Sequence, residues 1–587
     1  MWSFQFQYKA IGLWSIFNLI RNAFDNIEML LYSFFLAQLI NNLIGSNSKA
    51  ITPELIQPVI AIGVLWLISH LFHFDDYLFR FYRYEKTRLE FMQAILKKIT
   101  YLDWQKIEEP ETEKMLRSTL DNGSWPLHTY VDSISYLITV LIGFIFAIST
   151  VKLSWVLILA IAVGSIPSGI QTLWYTYLDS RVFDTLISRY VKLSGILDFF
   201  HSFNTLFESK ITRAENYLRQ VEAQERKANL DLYFARFSKL FWTNIITVTT
   251  SIGSNLYVLW YLTLQVVNQA LAIGTFQYYL TAFNKLRTDV NSIFSSVGQI
   301  EDSYRYLIHF YALMHLEPSL KDGKISLQPP DDLTINFNSV NFFYPNSKSA
   351  ALKNISIVIK PGEKIALVGE NGAGKSTFIK LLLRAYDPSS GSISVGDKPL
   401  TEISKESWYE QLALIPQDFA RYDVLTVAEN IGLDRADQKD KIAQAALLSN
   451  ADEFISKLPN KYQTILSKKL ENGVELSSGQ WQRIGLARLF YSDKKIVVLD
   501  EPTASIDPVA EHQIFDNVYQ KLANKTIIIV SHRYSTVRNA DRIVVFKNGE
   551  IIEQGNFDQL IHHQGYFAQA YKLQSEAKKL SSSSATR

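Results

Sequence analysis

From Leu240 to Asn284 the chain runs 45 residues without a charged side chain. About 20 apolar residues cross a bilayer as a helix, so the run suffices for two crossings and a short turn. The expected break is Gln265 to Gly274, where Gln, Asn and Gly cluster. Four more uncharged stretches lie upstream, at Met29–Ser48, Leu55–Phe74, Ile134–Val151 and Leu153–Leu178. The first half therefore reads as six membrane helices. No small-residue cleavage site precedes the first span, so a cleavable signal is not expected.

The connections carry an orientation. Residues 75–130 hold nine Lys and Arg, and residues 179–239 hold ten, whereas the opposite connections hold only Lys49 and Lys152. Positive residues stay on the cytoplasmic side, so both long connections and both termini are expected there. A buried helical core in a soluble protein would give no reason for this bias. Tyr84–Leu102 and Ile211–Leu240 are rich in helix formers, so the membrane helices are expected to continue as cytoplasmic rods. About 20 extra residues give roughly 30 Å of reach. Trp104–Leu116 and Leu197–Leu206 are expected as short helices at the tips.

Composition excludes other classes. The chain has no cysteine, which removes disulfide scaffolds, thiolate metal sites and thiol nucleophiles. Its net charge is +2, which argues against a nucleic-acid partner held by bulk positive charge.

Beyond Leu316–Asp332, where Pro318, Pro329 and Pro330 interrupt a polar stretch, strand and helix patterns alternate. Ile335–Phe343, Leu352–Ile359 and Lys364–Val368 read as strands. The last leads into Gly369-Glu370-Asn371-Gly372-Ala373-Gly374-Lys375-Ser376, which fits G-x-x-x-x-G-K-[ST]. Such glycines let successive N–H groups turn toward phosphate oxygens, and the following helix, expected over Thr377–Tyr386, offers its positive end to the same anion. Lys375 can reach the β- and γ-phosphates of ATP, Ser376 suits Mg²⁺, and Thr377 can help hold the α-phosphate. A second apolar run, Ile496–Leu499, ends in Asp500 and Glu501. Asp500 suits the Mg²⁺ shell. Glu501, opposite to it on an extended chain, can polarise an attacking water. Alone, that acidic pair would read as a solvated turn.

Leu476-Ser477-Ser478-Gly479-Gln480 completes the pattern. It resembles the Leu-Ser-Gly-Gly-Gln signature of ABC transporter ATPases, with Ser478 in place of the first glycine. The whole chain is similar to an ABC exporter half-transporter. The resemblance implies an α-helical membrane domain of six transmembrane helices with long cytoplasmic extensions, followed by an α/β P-loop NTPase domain with a helical subdomain. The expected boundaries are 1–316, a linker at 317–332, the ATPase domain at 333–575 and a polar tail at 576–587. It further implies Tyr344 as the aromatic that stacks on adenine, and Gln417 as a loop glutamine that touches Mg²⁺ or water. Ser505 and Asp507 would form the D-loop, His532 would contact γ-phosphate, and Glu471 would lie before the signature. Leu102-Asp103-Trp104 and Ile107–Pro110 look like a first coupling region. Ser477, Ser478, Gly479 and Gln480 would grip ATP held by the phosphate loop of a second chain.

The implied activity is Mg²⁺-dependent ATP hydrolysis that drives export or flipping of an amphipathic drug, lipid or peptide across the cytoplasmic membrane. An ATP-gated channel or regulator, and an importer, are the alternatives. The implied partners are membrane lipid and a second half-transporter, with a homodimer preferred over a heterodimer because Lys375, Gln417, Ser477, Gly479, Glu501 and His532 are all present. Lys285, Arg287 and Asp289 fall inside the sixth span. One reading has Lys285 or Arg287 meeting an anionic substrate, and the other pairs Lys285 with Asp289 at i,i+4.

Overall fold

The computed structural model describes residues 2–573 except 46–51, 151–153, 202, 329–330, 346, 503–507 and 532–536. His532, Ser505, Asp507, Pro329, Pro330 and the polar tail therefore lie outside the described residues. The chain divides into two units, Met1–Leu102 with Ile107–Glu317, and Asp103–Lys106 with Pro318–Arg587.

The first unit is helical. After α1 (Trp2–Ile11) come the long α2 (Trp14–Gly45) and α3 (Pro53–Tyr101). The short α4 (Trp104–Ile107), whose first three residues belong to the second unit, and α5 (Pro110–Asn122) follow, then α6 (Trp125–Thr150) and α7 (Trp155–His201). The unit closes with α8 (Phe203–Thr212), α9 (Ala214–Val267) and α10 (Ile273–His315). The uncharged run breaks between Val267 and Ile273, inside the expected segment. Five helices among the described residues are long and apolar enough to cross a membrane. The sixth, α10, is not among them, because Lys285, Arg287 and Asp289 sit in the stretch that would have to qualify.

Outward-facing side chains on these helices include Trp66, Leu67, Ile145, Trp155, Trp242 and Trp260, each more than half exposed. Water would not tolerate such a surface, whereas lipid tails would. The interior contacts use small residues: Ala37, Ala147, Ala160 and Ala282 are nearly inaccessible and let helix backbones approach. Side-chain hydrogen bonds reinforce them, Ser33 donating to Gln277 and Ser133 to Gln299.

The tips differ from expectation. The first tip has two helices instead of one over Trp104–Leu116. Pro110 has no N–H to continue α4, and it occupies the first turn of α5 instead. At the second tip the short helix is Phe203–Thr212, shifted toward the C-terminus from Leu197–Leu206.

The second unit contains a six-stranded sheet ordered β10-β9-β3-β8-β7-β6 and a four-stranded antiparallel sheet ordered β2-β1-β4-β5. The strands are β1 (Ile335–Phe342), β2 (Leu352–Ile359), β3 (Lys364–Gly369), β4 (Ser390–Val395) and β5 (Lys398–Pro399). They continue as β6 (Leu412–Ile415), β7 (Ile496–Asp500), β8 (Thr526–Val530), β9 (Arg542–Lys547) and β10 (Glu550–Gly555). From β9 to β6 the larger sheet is parallel, and its central strands are continuous apolar runs because both faces are covered. Helix α11 (Lys375–Leu382) lies between the sheets. Its Phe378 stacks on Phe337 of β1 at 4.3 Å and meets Phe546 of β9 at 5.7 Å.

Helix α11 ends four residues before the expected Tyr386. Arg384 adopts φ 53°, which carries its buried guanidinium to the carbonyls of Ile403, Thr401 and Lys321. After α12 (Lys405–Gln411), a separate helical lobe holds its own core. It is built from α13 (Val427–Gly432), α14 (Lys439–Leu448), α15 (Asp452–Ile455) and α16 (Ser478–Tyr491) around Ile431, Ile442, Trp481 and Ile484. Two helices, α17 (Pro508–Lys521) and α18 (Phe557–His563), complete the unit. Asp103 is part of it: one carboxylate oxygen accepts from the Leu320 N–H and the other from the Lys106 N–H, both at 2.8 Å.

Candidate functional site

Strand β3 ends where the glycine-rich turn begins, and glycine is required there. Gly369 has φ 150°, and a Cβ on it would lie 2.3 Å from the Phe546 carbonyl oxygen. Gly374 has φ 106°, and its Cβ would meet Leu352 Cδ2 at 2.8 Å. Any larger residue would push the loop off the strands that position it. Lys375 opens α11 and folds back over the loop, its Nζ donating to the carbonyls of Gly369 at 2.8 Å and Glu370 at 2.9 Å. Burial lowers its pKa, while the charges of Glu501 and Asp500 oppose that shift.

The acidic pair sits at the end of β7, next to β8 in the sheet. Burial raises the Asp500 pKa, the neighbouring Glu501 charge raises it further, and Lys375 acts against both. Glu501 has φ 49° and donates its N–H to the Val530 carbonyl at 3.0 Å. This corrects the reading of Glu501 as the next residue of an extended strand: the strand stops at Asp500, so alternation does not decide where Glu501 points. A non-glycine residue in this conformation stores strain of the order of 1–3 kcal/mol, held by its surroundings. Gln417, just after β6, donates from Nε2 to Glu501 Oε2 at 3.4 Å.

These elements surround a cavity of about 910 Å³. Tyr344, Asn371, Gly372, Gly374, Lys375, Ser376, Thr377, Gln417 and Glu501 all line it. The Tyr344 hydroxyl lies 3.1 Å from Thr377 Oγ1, and its ring is fixed edgewise by Phe342 and Tyr386 with Lys380 over it. Gly369 and Asp500 are not among the lining residues. Ser347, Ser349, Lys353 and Asn548 also line the cavity, and the sequence reading did not single them out. Ser347, Ser349 and Asn548 arrive from the β1–β2 and β9–β10 connections, whose polar composition signals only turns, and Lys353 from the start of β2.

The residues suit a nucleotide triphosphate with its divalent cation. The loop offers main-chain N–H groups at the start of α11 and a cation at Lys375, and an anion would draw Lys375 from the two carbonyls it now satisfies. Ser376, Gln417 and Asp500 would hold Mg²⁺, and a bound cation would oppose the burial and the Glu501 charge that raise the Asp500 pKa.

The signature segment lies elsewhere. Ser477 caps α16, its Oγ accepting from the Gln480 N–H at 3.3 Å, while Gln480 Oε1 accepts from the Ser477 N–H at 2.9 Å. Ser477 and Ser478 are exposed, and Gly479 and Gln480 partly so. None of the four lines the cavity. Glu471 is exposed in the loop before them.

In the first unit, Lys285 is 8% exposed and binds Asp289, and its Nζ also donates to Asn26 Oδ1 at 3.3 Å. Arg287 donates to Ser251 Oγ at 2.6 Å. The i,i+4 pairing of Lys285 is the arrangement observed.

Residues 352–504 match the family model described as ABC transporter. An ATP-dependent lipid A-core flippase of Chromobacterium violaceum is 35% identical over 318 residues, 54% of this chain and 54% of that protein. The subtilin transport ATP-binding protein SpaT of Bacillus subtilis is 33% identical over 50% of this chain and 48% of its own length. The alignments thus span about half the length of the curated relatives. A bacterial Atm1-family ABC exporter solved with ATP bound shares the fold across 95% of this chain and 98% of that one, with TM-score 0.73 and 20% identity.

Proposed function

We propose that this chain, which carries an ABC transporter domain on the fold of an ABC exporter, is an ATP-driven exporter or flippase of an amphipathic lipid or peptide, working as a dimer in the cytoplasmic membrane. The observation that carries the reading is the single cavity in which the phosphate loop, Gln417 and Glu501 meet. Relatives named for lipid A-core and for subtilin support lipid or peptide over a small ion as the cargo.

ATP would bind with its phosphates on the glycine turn and Lys375 and its base against Tyr344. Mg²⁺, when bound, supplies neutralisation of phosphate charge. Glu501 orients and polarises the attacking water, and Gln417 holds Glu501 in place. The exposed start of α16 supports completion of the site by a second copy, since the positive end of a helix favours an anion. Ser477 and Gly479 of one chain would then close on the γ-phosphate held by the other. Closure would draw the membrane units together, and loss of the γ-phosphate would release them.

Reconstitution into liposomes with labelled lipids, peptides and dyes tests this. ATP-dependent movement of one class supports it, and ATP turnover with no movement of any class would favour the channel or regulator reading. Cross-linking a cysteine at Ser477 to one at Asn371 only between chains, and only with ATP, would support the shared site.

A further inference from the structure

Glu370 is the residue after Gly369 in the phosphate loop, an acid in a turn suited to hold an anion. Its main chain belongs to the site. The Glu370 carbonyl accepts from Lys375 Nζ at 2.9 Å and from the Ala373 N–H at 3.2 Å. Its side chain does not: Glu370 is exposed and is not among the residues that line the cavity. A carboxylate able to swing back would repel a bound polyphosphate and compete with it for the Lys375 charge.

The contact that turns it away comes from 196 residues along the chain, where the Tyr566 hydroxyl donates to Glu370 Oε1. The tyrosine is itself fixed on several sides. It opens the helical stretch 566–573, and the two carboxylate oxygens of Glu553, on β10, accept the N–H groups of Tyr566 and Phe567. Gly565 permits this approach, since a Cβ there would lie 2.3 Å from Glu553 Oε1. Phe567 is fully buried, in one core cluster with Val368 of β3 and Val545 of β9. Lys547, the last residue of β9, holds its Nζ 4.7 Å from the centroid of the Tyr566 ring. The hydroxyl is therefore presented by the same sheet that presents the phosphate loop, because Gly369 pairs with Phe546, the neighbour of Lys547.

We propose that Tyr566 is a positioning residue for nucleotide binding: it ties the Glu370 carboxylate outward and so keeps the phosphate loop electropositive. The inference rests on the reading of the cavity as an ATP site. Charge decides the effect more than shape does. Gly369 and Gly374 set the path of the loop, and Glu553 and Phe567 anchor the segment that carries Tyr566, so loss of one hydroxyl leaves both in place. What the loss releases is a negative charge. An exposed charge acts over about 8 Å at physiological salt, so a released carboxylate on this loop stays within reach of a phosphate bound to the loop's own N–H groups.

The test is the KM for Mg·ATP and the kcat of the full chain in detergent. It compares the unmodified protein, Tyr566→Phe, Glu370→Gln and the double variant, each at low and at high salt. Tyr566→Phe should raise KM roughly three- to tenfold, the effect of losing one hydrogen bond to a charged group at a surface, while kcat changes much less. The rise should shrink at high salt, where exposed charges are screened. With Glu370→Gln already present, Tyr566→Phe should add little, because no charge is left to release. An unchanged KM in Tyr566→Phe overturns the proposal. A rise of equal size with and without the Glu370 charge also overturns it, since a merely structural contact would give that result, and so does a rise that high salt leaves intact. An unmodified chain that turns over no ATP overturns the reading of the cavity and this inference with it, so the control separates the two failures.

Discussion

Gln417 and Glu501 come from loops after neighbouring parallel strands, and the Gln417 amide donates to the Glu501 carboxylate. The glutamine thereby aims one carboxylate oxygen. Replacing Glu501 by Gln keeps size and hydrogen bonding but removes the base. ATP should still bind and hold a closed dimer, while phosphate release falls by about two to four orders of magnitude, the usual worth of a positioned base. Single-turnover phosphate release measures this, and an unchanged rate removes Glu501 from the chemistry.

Lys375 now spends its charge on two loop carbonyls, so Lys375→Ala should act on binding before chemistry. Charged hydrogen bonds are worth about 1.5–3 kcal/mol, so nucleotide affinity should drop roughly ten- to hundredfold. A pH effect accompanies it. Burial lowers the Lys375 pKa, so the free protein releases this proton below the ordinary lysine value. Across that interval the unfolded chain binds more protons, and stability rises with pH; nucleotide affinity falls, because the bound phosphates need the charged amine. Calorimetric titration from neutral to alkaline pH reads it, and a flat profile counts against the role.

Tyr344→Ala should weaken nucleotide binding less. One aromatic face on a base is worth roughly 1–3 kcal/mol, and the hydroxyl contact with Thr377 adds order to the phosphate side. The loss should be similar for ATP and GTP, since a ring face reads no base edge. A loss confined to ATP would point to hydrogen-bond recognition instead.

The parts of the site that were legible are those written locally. Gly369 and Gly374 announce themselves because their own backbone angles forbid other residues, and β3 announces itself because a strand covered on both faces must be apolar throughout. Glu501 was legible as a residue but not in its direction, because its left-handed conformation is imposed by the Val530 carbonyl. Lys353, at the start of β2, and Asn548, in the β9–β10 turn, were not legible, since neither a strand end nor a polar turn says which cavity it will border. In the membrane unit, Asp289 could be paired with Lys285 from spacing. Asn26, far away in sequence, could not.

The helical lobe offers a test free of catalysis. Thr426 caps α13, with its Oγ accepting from the Glu429 N–H, and the Glu429 carboxylate accepts from the Thr426 N–H. Thr426→Ala should destabilise this lobe by about 1 kcal/mol. The Thr426 N–H, first, and the Thr426 hydroxyl, which donates to the same carboxylate at 2.8 Å, lower the Glu429 pKa. Their contribution is therefore complete above the ordinary glutamate pKa and is lost as pH falls through the lowered value. Hydrogen exchange in α13 should show the wild-type protection declining over that acidic interval, with a shallower decline in the variant. Equal slopes would mean that the cap does not set the titration.

The Lys285–Asp289 pair makes the sharpest prediction for the membrane unit. Both side chains are almost wholly buried, and Lys285 also reaches Asn26. Removing one member of such a pair leaves a bare charge, which costs about 3–5 kcal/mol, whereas replacing both by apolar residues is close to neutral. Lys285→Leu should therefore lower the unfolding temperature sharply, and Lys285→Leu with Asp289→Leu should restore most of it. If Lys285 instead served an anionic cargo, the double variant would stay stable but transport anionic compounds worse than neutral ones. Equal losses for the two cargo classes leave Lys285, paired within α10 and bonded to Asn26, as a structural bolt between α2 and α10.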